Sequence, residues 1–527
     1  MRDFQRPGRS PVHGMNGAIA TSHPLATAAG LEVLRRGGHA MDAAIAASAV
    51  LCVVEPGMTG VGGDNFTLIA PGDGGPVIGY NGSGRAPAGI DLERLRSLNR
   101  SMPRHNAQTV TVPGAVEAWC RLHARFGRIG LDDLIEPAIR LATDGYVIHG
   151  RVAFDWASQV DKLARDPGAS ATMLVGGAAP AAGSVHRQPA LARTLAEIAR
   201  NGHDGFYAGW VAEDMVKTLR ALGGAHTLDD FAAVEGEFVT PISTGFAGHE
   251  LLACPPNGQG ITALIMLNIL SGFDRAGLDP LGADRIHLFV EAAKRAYGDR
   301  DALIADPRLR DVPVERMLSE AHAAEHRAAI HPGRAGPTPP HSIPTGNDTI
   351  YLTVVDRDRN AVSFINSIFE NFGSGIMAPE SGVMFHNRGY SFRLDPDHPN
   401  VIAPGKRPMH TITPAMLMKE GRAVMPYGVM GAHFQPFGQC WMLTNMLDHG
   451  LDIQEAQDLP RPFGYAGEVV LETSIPEATA ARLTELGHRV LRTSKPHGGS
   501  QGILIDWTTG VLSAGSDPRK DGCALAW

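Results

Sequence analysis

A mixed α+β fold follows from three observations. Helical and strand-like patterns run side by side along the 527 residues without any fixed-period repeat, which excludes solenoids and propellers. Helical periodicity dominates from Ala115 to Arg327, and the pattern turns to β-structure after Thr349. The longest apolar stretch, Ala43 to Val54, is hemmed in by Asp42 and by Glu55-Pro56 and is too short to span a bilayer.

The elements read in order as follows. Ala18-Ile19-Ala20 is a short strand, Pro24 opens a helix that ends at Arg36 before Gly37-Gly38, and an Ala-rich helix runs from Met41 towards Val53. Gly57 to Phe66 is a Gly-rich loop feeding the strand Thr67-Leu68-Ile69. It lacks a Gly-Lys-Ser/Thr ending and precedes a strand, so it reads as a turn or a pocket wall and not as a phosphate loop. Two turn-rich interruptions, Asp166 to Gly183 and Cys254 to Gly260, break the helical region. Ala335 to Asp348 carries four prolines, which remove backbone donors, so this segment is expected to stay out of helices and central strands and to be free to leave after a cut. Thr349 to Val355, the polar turn Asp356 to Asn360 and Ala361 to Ile365 then form a hairpin.

Composition narrows the function. A net charge of −8 with acidic and basic residues intermingled argues against nucleic acid and against an anionic membrane surface, leaving small molecules as the expected partners. The five cysteines stand far apart with no Cys-x-x-Cys pair, giving neither a zinc spacing nor a disulfide framework, and no metal or cofactor is expected. The opening residues Met1 to Pro7 contain no apolar core of a secretion signal, so a cytoplasmic location is expected. No Gly-x-Ser-x-Gly elbow and no His-Glu-x-x-His helix offers another nucleophile or metal class.

Thr349 is the residue on which function turns. A threonine hydroxyl is a weak nucleophile without an adjacent base, and cutting the chain before it frees its own α-amine for that role. A Pro-rich segment running straight into a strand that begins with Thr is where such a cut would lie, although loops before strands are common.

Nine fragments, in order, carry a resemblance over almost the whole chain. The first is SHPLATAAGLEVLRRGGHAMDAAIAASAVLCVVEPGMTGVGGDNF, starting at Ser22, and the others are TVPGAVEAW, GLDDLIEPAIRLATDGY, PPNGQG, DTIYLTVVDRDRNAVS, FGSGI, ESGVMFHN, KRPMHTITPAM and SDPRKDG. In these the chain resembles the γ-glutamyltransferase family of N-terminal-nucleophile hydrolases. The resemblance implies a four-layer αββα sandwich and a precursor that cuts itself between Asp348 and Thr349. The resulting subunits, 1–348 and 349–527, would stay together as one domain, a heterodimer open to further oligomerisation. It also implies an amidohydrolase or acyltransferase working through a Thr349 acyl-enzyme. Ser367 would hydrogen-bond the nucleophile, and the amides of Gly431 and Ala432 would face the oxyanion, with Ala432 standing where the family usually has a second glycine.

The substrate pocket departs from the glutathione-cleaving pattern. The family's arginine position falls near Ser83 with Arg85 two places on, and its Ser-Ser pair reads His410-Thr411, so a carboxylate site rebuilt from Arg85 and Thr411 is expected. The positions that hold the glutamyl ammonium become Phe369, Arg388 and Ser391, a change of two charges that should repel an ammonium and attract a carboxylate. Only Val401-Ile402-Ala403 separate Pro399-Asn400 from Pro404, so no lid is expected, the cleft should be open, and hydrolysis should outrun transfer. Two substrate classes stay open: γ-glutamyl amides such as glutathione, and ammonium-free anionic amides such as those taken by the related oxamate amidohydrolases and cephalosporin (glutaryl) acylases. A non-catalytic small-molecule binding paralogue is the reading from outside enzymology.

Overall fold

The computed structural model describes residues 8–340 and 349–527. Asp348 lies outside the described residues. Two seven-stranded sheets stack face to face. The first runs, edge to edge, Val12–Gly14, Leu512–Ser516, Ser500–Ile505, Arg422–Val429, Ala415–Lys419, His249–Ala253 and Ile242–Phe246. The second runs Cys523–Ala526, Ala18–Thr21, Ile350–Val355, Ala361–Ser367, Asp64–Ala70, Ile78–Gly82 and Glu237–Val239.

The strand Ile350–Val355 shows how alternation builds the layers. Its even-numbered residues Ile350, Leu352 and Val354 join the helices Pro24–Arg35 and Ala40–Val54 in one core. Tyr351 and Val355, one step out of phase, join Phe66, Met416 and Ile503 in the core between the sheets. A third core sets the helices Gly260–Leu270, Ala283–Leu303 and Phe434–Leu447 against the far face of the first sheet, through Leu417, Met425 and Tyr427. Helix, sheet, sheet, helix is the αββα sandwich. Among the described residues no helix is long and apolar enough to cross a membrane.

Several boundaries differ from the sequence reading. The strand after the Gly-rich loop begins at Asp64, three residues early, because its backbone must reach Ser367 on the neighbouring strand. The glycines permit that approach: a Cβ on Gly63 would stand 2.5 Å from the Ser367 carbonyl oxygen, and one on Gly62 2.3 Å from that of Met384. The helical region hides a two-stranded pair, Tyr146–Val147 with Val185–His186, and three longer strands, Glu237–Val239, Ile242–Phe246 and His249–Ala253, while the first turn-rich interruption holds a short helix, Pro167–Met173. The Pro-rich segment is not loose along its described part. The Ala335 amide donates to the Leu486 carbonyl, and Gly336 is held on both sides, its amide by Glu291 and its carbonyl by Lys294.

One buried acid gives the fold a pH dependence. Glu55 caps the end of the helix Ala40–Val54 and accepts a 3.0 Å bond from the Ser22 hydroxyl. Burial pushes its carboxyl up to about 7 from an ordinary 4.5, against the pull of Lys520 and Ser22. The folded chain thus keeps a proton that the unfolded chain releases near pH 4.5, so this group's contribution to stability falls as pH rises from about 4.5 to 7 and is level above. Glu55→Gln is expected to raise the melting temperature over wild type at pH 8 and to lose that advantage at pH 5. A melting difference independent of pH would refute the assignment.

Candidate active site

The hairpin places the candidate nucleophile, Thr349. Ile350 pairs with Asn366, so Thr349 falls opposite Ser367, and Ser367 in turn pairs with Asp64 on the next strand. Ser367 Oγ lies 3.1 Å from Thr349 Oγ1. The same oxygen accepts from the Phe369 amide at 2.9 Å and from Arg388 Nη2 at 3.2 Å. Two donors fill its two lone pairs, so its single proton points at Thr349 Oγ1. A hydrogen bond received there would stabilise an alkoxide on the threonine were it to lose its own proton.

Arg388 is the centre of the buried cluster beside Thr349. Its side chain is wholly buried, lies 4.3 Å above the Phe369 ring, and donates from Nη1 to Thr411 Oγ1 at 2.8 Å. Among the described residues its nearest carboxylate is Asp64 Oδ2, 3.9 Å from Nε, and Nε makes no hydrogen bond. Of five guanidinium protons, two are used among the described residues and three remain. Burial pushes this guanidinium's pKa down, with Asp64 opposing. A second anion at this position would relieve the cost of holding the charge away from water.

The other expected residues separate into those that join this cluster and those that do not. Thr411 joins through Arg388. Ser391 is buried on the same short 3-10 turn, and among the described residues its hydroxyl has no partner. Arg85 does not join: its guanidinium faces the Gly405 carbonyl at 3.4 Å and Asp306 at 3.7 Å, so the arginine beside Thr411 is Arg388. His410 is spent on support, with Nε2 3.0 Å from Asp64 Oδ2 and Nδ1 accepting from the Ile412 amide. Burial, reinforced by Arg388 and Arg407, holds that imidazole well below its ordinary pKa and therefore neutral. The open cleft is not seen either. Thr349 is 1% exposed in the uncut chain and Ser367, Arg388 and Thr411 are 0%. The short connection does pack inward, with Val401 and Ile402 buried.

Gly431 and Ala432 lie between the strand Arg422–Val429 and the helix Phe434–Leu447, both with positive φ, 110° and 46°. Among the described residues neither amide donates to a protein acceptor. Ala432 in this conformation carries local strain that a glycine would not, on the order of 1 kcal/mol. The loop is clamped from below: Gln259 Nε2 donates to the carbonyls of Thr411 at 2.6 Å and Ala432 at 2.8 Å. Arg300 in turn grips Gln259 Oε1 at 2.7 Å and His433 Nδ1 at 2.9 Å. A cavity of about 280 Å³ bordered by Phe463, Tyr465, Lys495 and Gly498 reaches this loop at Gly431.

Asp64, Gln259 and Arg300 were missed by sequence reasoning. Asp64 Oδ1 takes the amides of Gly84 and Gly114 at 3.0 and 3.1 Å while Oδ2 takes His410, which ties three segments to the strand that pairs with the one carrying Ser367. A lone acid after Gly62-Gly63 was the available signal.

The model of the Gamma-glutamyltranspeptidase family matches residues 26–527. The chain belongs to this family. It is 36% identical over 522 residues to a glutathione hydrolase-like proenzyme of Bacillus subtilis, covering 98% of this chain and 99% of that one. It is 37% identical over 531 residues to the oxamate amidohydrolase proenzyme of Klebsiella pneumoniae, with the same two coverages. Among solved structures, the cephalosporin acylase from Bacillus halodurans superposes with a TM-score of 0.93 at 38% identity, over 100% of this chain and 99% of that one. As a γ-glutamyltranspeptidase-family member the chain is an enzyme, a self-processing amidohydrolase with the N-terminal-nucleophile fold described above.

Proposed function

We propose that the chain cuts itself between Asp348 and Thr349, and that the pair of fragments 1–348 and 349–527 hydrolyses amides whose acyl part ends in a carboxylate and lacks an α-ammonium. The observation that carries the substrate class is the buried Arg388, with three unused donors, sharing Ser367 with the nucleophile. An ammonium would have to settle beside this guanidinium, while a carboxylate would be held by it and by Thr411. The oxamate amidohydrolase and cephalosporin acylase among the similar proteins support the same class.

The chemistry balances on a single threonine. Once released, the Thr349 α-amine, with an ordinary pKa of about 7.7 to 8.0, takes the proton of Oγ1. Oγ1 bonds to the substrate carbonyl carbon, and the carbonyl electron pair moves onto oxygen, which faces the amides of Gly431 and Ala432. As the C–N bond breaks, the α-ammonium returns its proton to the leaving amine. Water then attacks the acyl-enzyme with the same amine as base, giving free acid and Thr349. Ser367 orients and stabilises Oγ1 throughout.

Within the anionic class the geometry favours short acyl groups. Arg388 and Thr349 are joined through one hydroxyl, so the carboxylate lies close to the scissile carbonyl. An oxalyl group, the acyl part of oxamate, would span that gap directly, whereas a glutaryl chain would have to fold back, losing rotamer freedom. γ-Glutamyl transfer is the second reading, favoured by the glutathione hydrolase-like relative. Oxamate, glutaryl and γ-glutamyl amides assayed side by side on the matured protein test the proposal, with gel electrophoresis reporting one band or two. Turnover is expected to fall in that order. A γ-glutamyl amide as the best of the three would replace the proposal, and a single uncut band without turnover would favour the binding paralogue.

A further inference from the structure

We propose a divalent-metal site, of zinc type, formed by Asp299, His322 and His326 at the meeting of the helices Ala283–Leu303 and Glu320–Ala328. His322 and His326 are four residues apart on one helix and present both imidazoles on one face. Their Nε2 atoms lie 2.7 and 2.8 Å from the same oxygen, Asp299 Oδ2, and 3.0 Å from each other. Hydrogen bonding alone serves this triangle poorly. Two N–H groups aimed at one oxygen bring their hydrogens together, and with only one N–H the second nitrogen meets the carboxylate lone pair against lone pair. A cation at the centre replaces the crowded protons and satisfies all three lone pairs. Two neutral imidazoles and one carboxylate are an ordinary three-ligand zinc set, and ligand atoms about 2.0–2.2 Å from the metal need each gap to widen by roughly half an ångström.

A second observation supplies the open position. Asp299 and His326 border a cavity of about 450 Å³, together with His398, Pro339 and Pro340. The ligands are accessible from it, at 17% exposure for Asp299 and 16% for His326. A water or small-molecule donor arriving there would complete four-coordination. Arg295 also borders the cavity, but it is turned to Glu291 and the Ala329 carbonyl. Another group of the right residue types, His287, Glu291 and His488, is a poor rival. Lys294 stands 2.6 Å from Glu291 with Arg295 at 3.9 Å, and both nitrogens of His287 are taken, by His488 and by the His331 carbonyl.

The site lies far from the reaction's chemistry in role, yet next in sequence to a residue that supports the Gly431-Ala432 loop. Arg300, which follows Asp299, holds Gln259 and His433 beneath the Gly431-Ala432 loop. Occupancy would fix the helix end from which that arm projects.

The test uses the full-length protein, stripped with a chelator and titrated with Co²⁺ and Zn²⁺. Expected are about one equivalent of Co²⁺ with the visible bands of a four- or five-coordinate nitrogen and oxygen site, displaced by Zn²⁺. His322→Ala with His326→Ala should abolish both, and Asp299→Ala should weaken Zn²⁺ binding more than the roughly ten- to hundredfold typical of losing a supporting contact. His488→Ala should leave the titration unchanged. Wild-type protein that takes up no Co²⁺, or a folded double variant that binds as wild type does, overturns the proposal. Loss of binding in His488→Ala alone would move the site to the other cluster and also overturn it. If the double variant fails to fold, the wild-type titration and the His488→Ala control decide.

Discussion

Thr349→Ala is expected to leave the chain as one uncut polypeptide with no measurable amide turnover. The hydroxyl that attacks the substrate is the one that must attack the Asp348 carbonyl to release its own amine, so one deletion removes nucleophile, base and maturation together. Loss of a nucleophile that acts as a unit with its base costs about 10⁴-fold or more in turnover. Ser367→Ala should be milder, since Thr349 Oγ1 would lose one received hydrogen bond while the amine remained in place. Mass spectrometry is the direct readout. A Thr349→Ala chain cut normally after Asp348 would remove the N-terminal-nucleophile assignment.

Arg388→Gln is the second large effect, and its signature is a change of preference. A charged hydrogen bond between the guanidinium and a substrate carboxylate contributes about 1.5–3 kcal/mol, or roughly 10- to 150-fold at about 1.4 kcal/mol per decade. Glutamine can still donate to Ser367 or Thr411, so much of the supporting geometry is retained. Both anionic and γ-glutamyl turnover should fall somewhat because Ser367 loses a strong donor. The ratio of their kcat/KM values isolates the substrate contact and should move towards γ-glutamyl by at least about tenfold. An unchanged ratio would show that Arg388 acts on Ser367 alone and does not select the acyl group.

The juxtaposition of Thr349 and Ser367 was legible in the sequence because both lie on one hairpin, where spacing and alternation suffice. Thr349 and Ser367 face each other as a direct result of the register Ile350 to Asn366. Arg388 was legible as a charge change, but its depth of burial was not. The guanidinium tolerates that depth because Phe369 stacks on it and two hydroxyls accept from it, contacts from distant segments that no local pattern encodes. Arg85 misled for the converse reason. Its position along the chain matched, but Asp306 draws its side chain elsewhere. Asp64 and Gln259 act by collecting backbone groups from separate segments, which is visible only when those segments have met. The strands between Glu237 and Ala253 escaped because their tight turn is Ala247-Gly248, with φ 48° and 74°, and not the Asn-Gly pair that announces such hairpins.

If the chain is cut after residue 348 as proposed, the order of strands in the second sheet carries a lasting consequence. Cys523–Ala526, Ile350–Val355 and Ala361–Ser367 come from one side of that junction, and Ala18–Thr21 sits between the first two of them, from the other. Neither fragment holds a complete sheet, so neither can leave without tearing hydrogen-bonded ladders on both of its edges. Once severed, the pieces share no covalent tether, and reassembly after denaturation becomes a bimolecular search that the newborn chain never faced. Heating and cooling the matured enzyme should therefore give an unfolding that does not retrace itself, with a lifetime set by an escape rate and not by an equilibrium. The uncut Thr349→Ala chain, whose two halves are still one molecule, should refold from the same treatment.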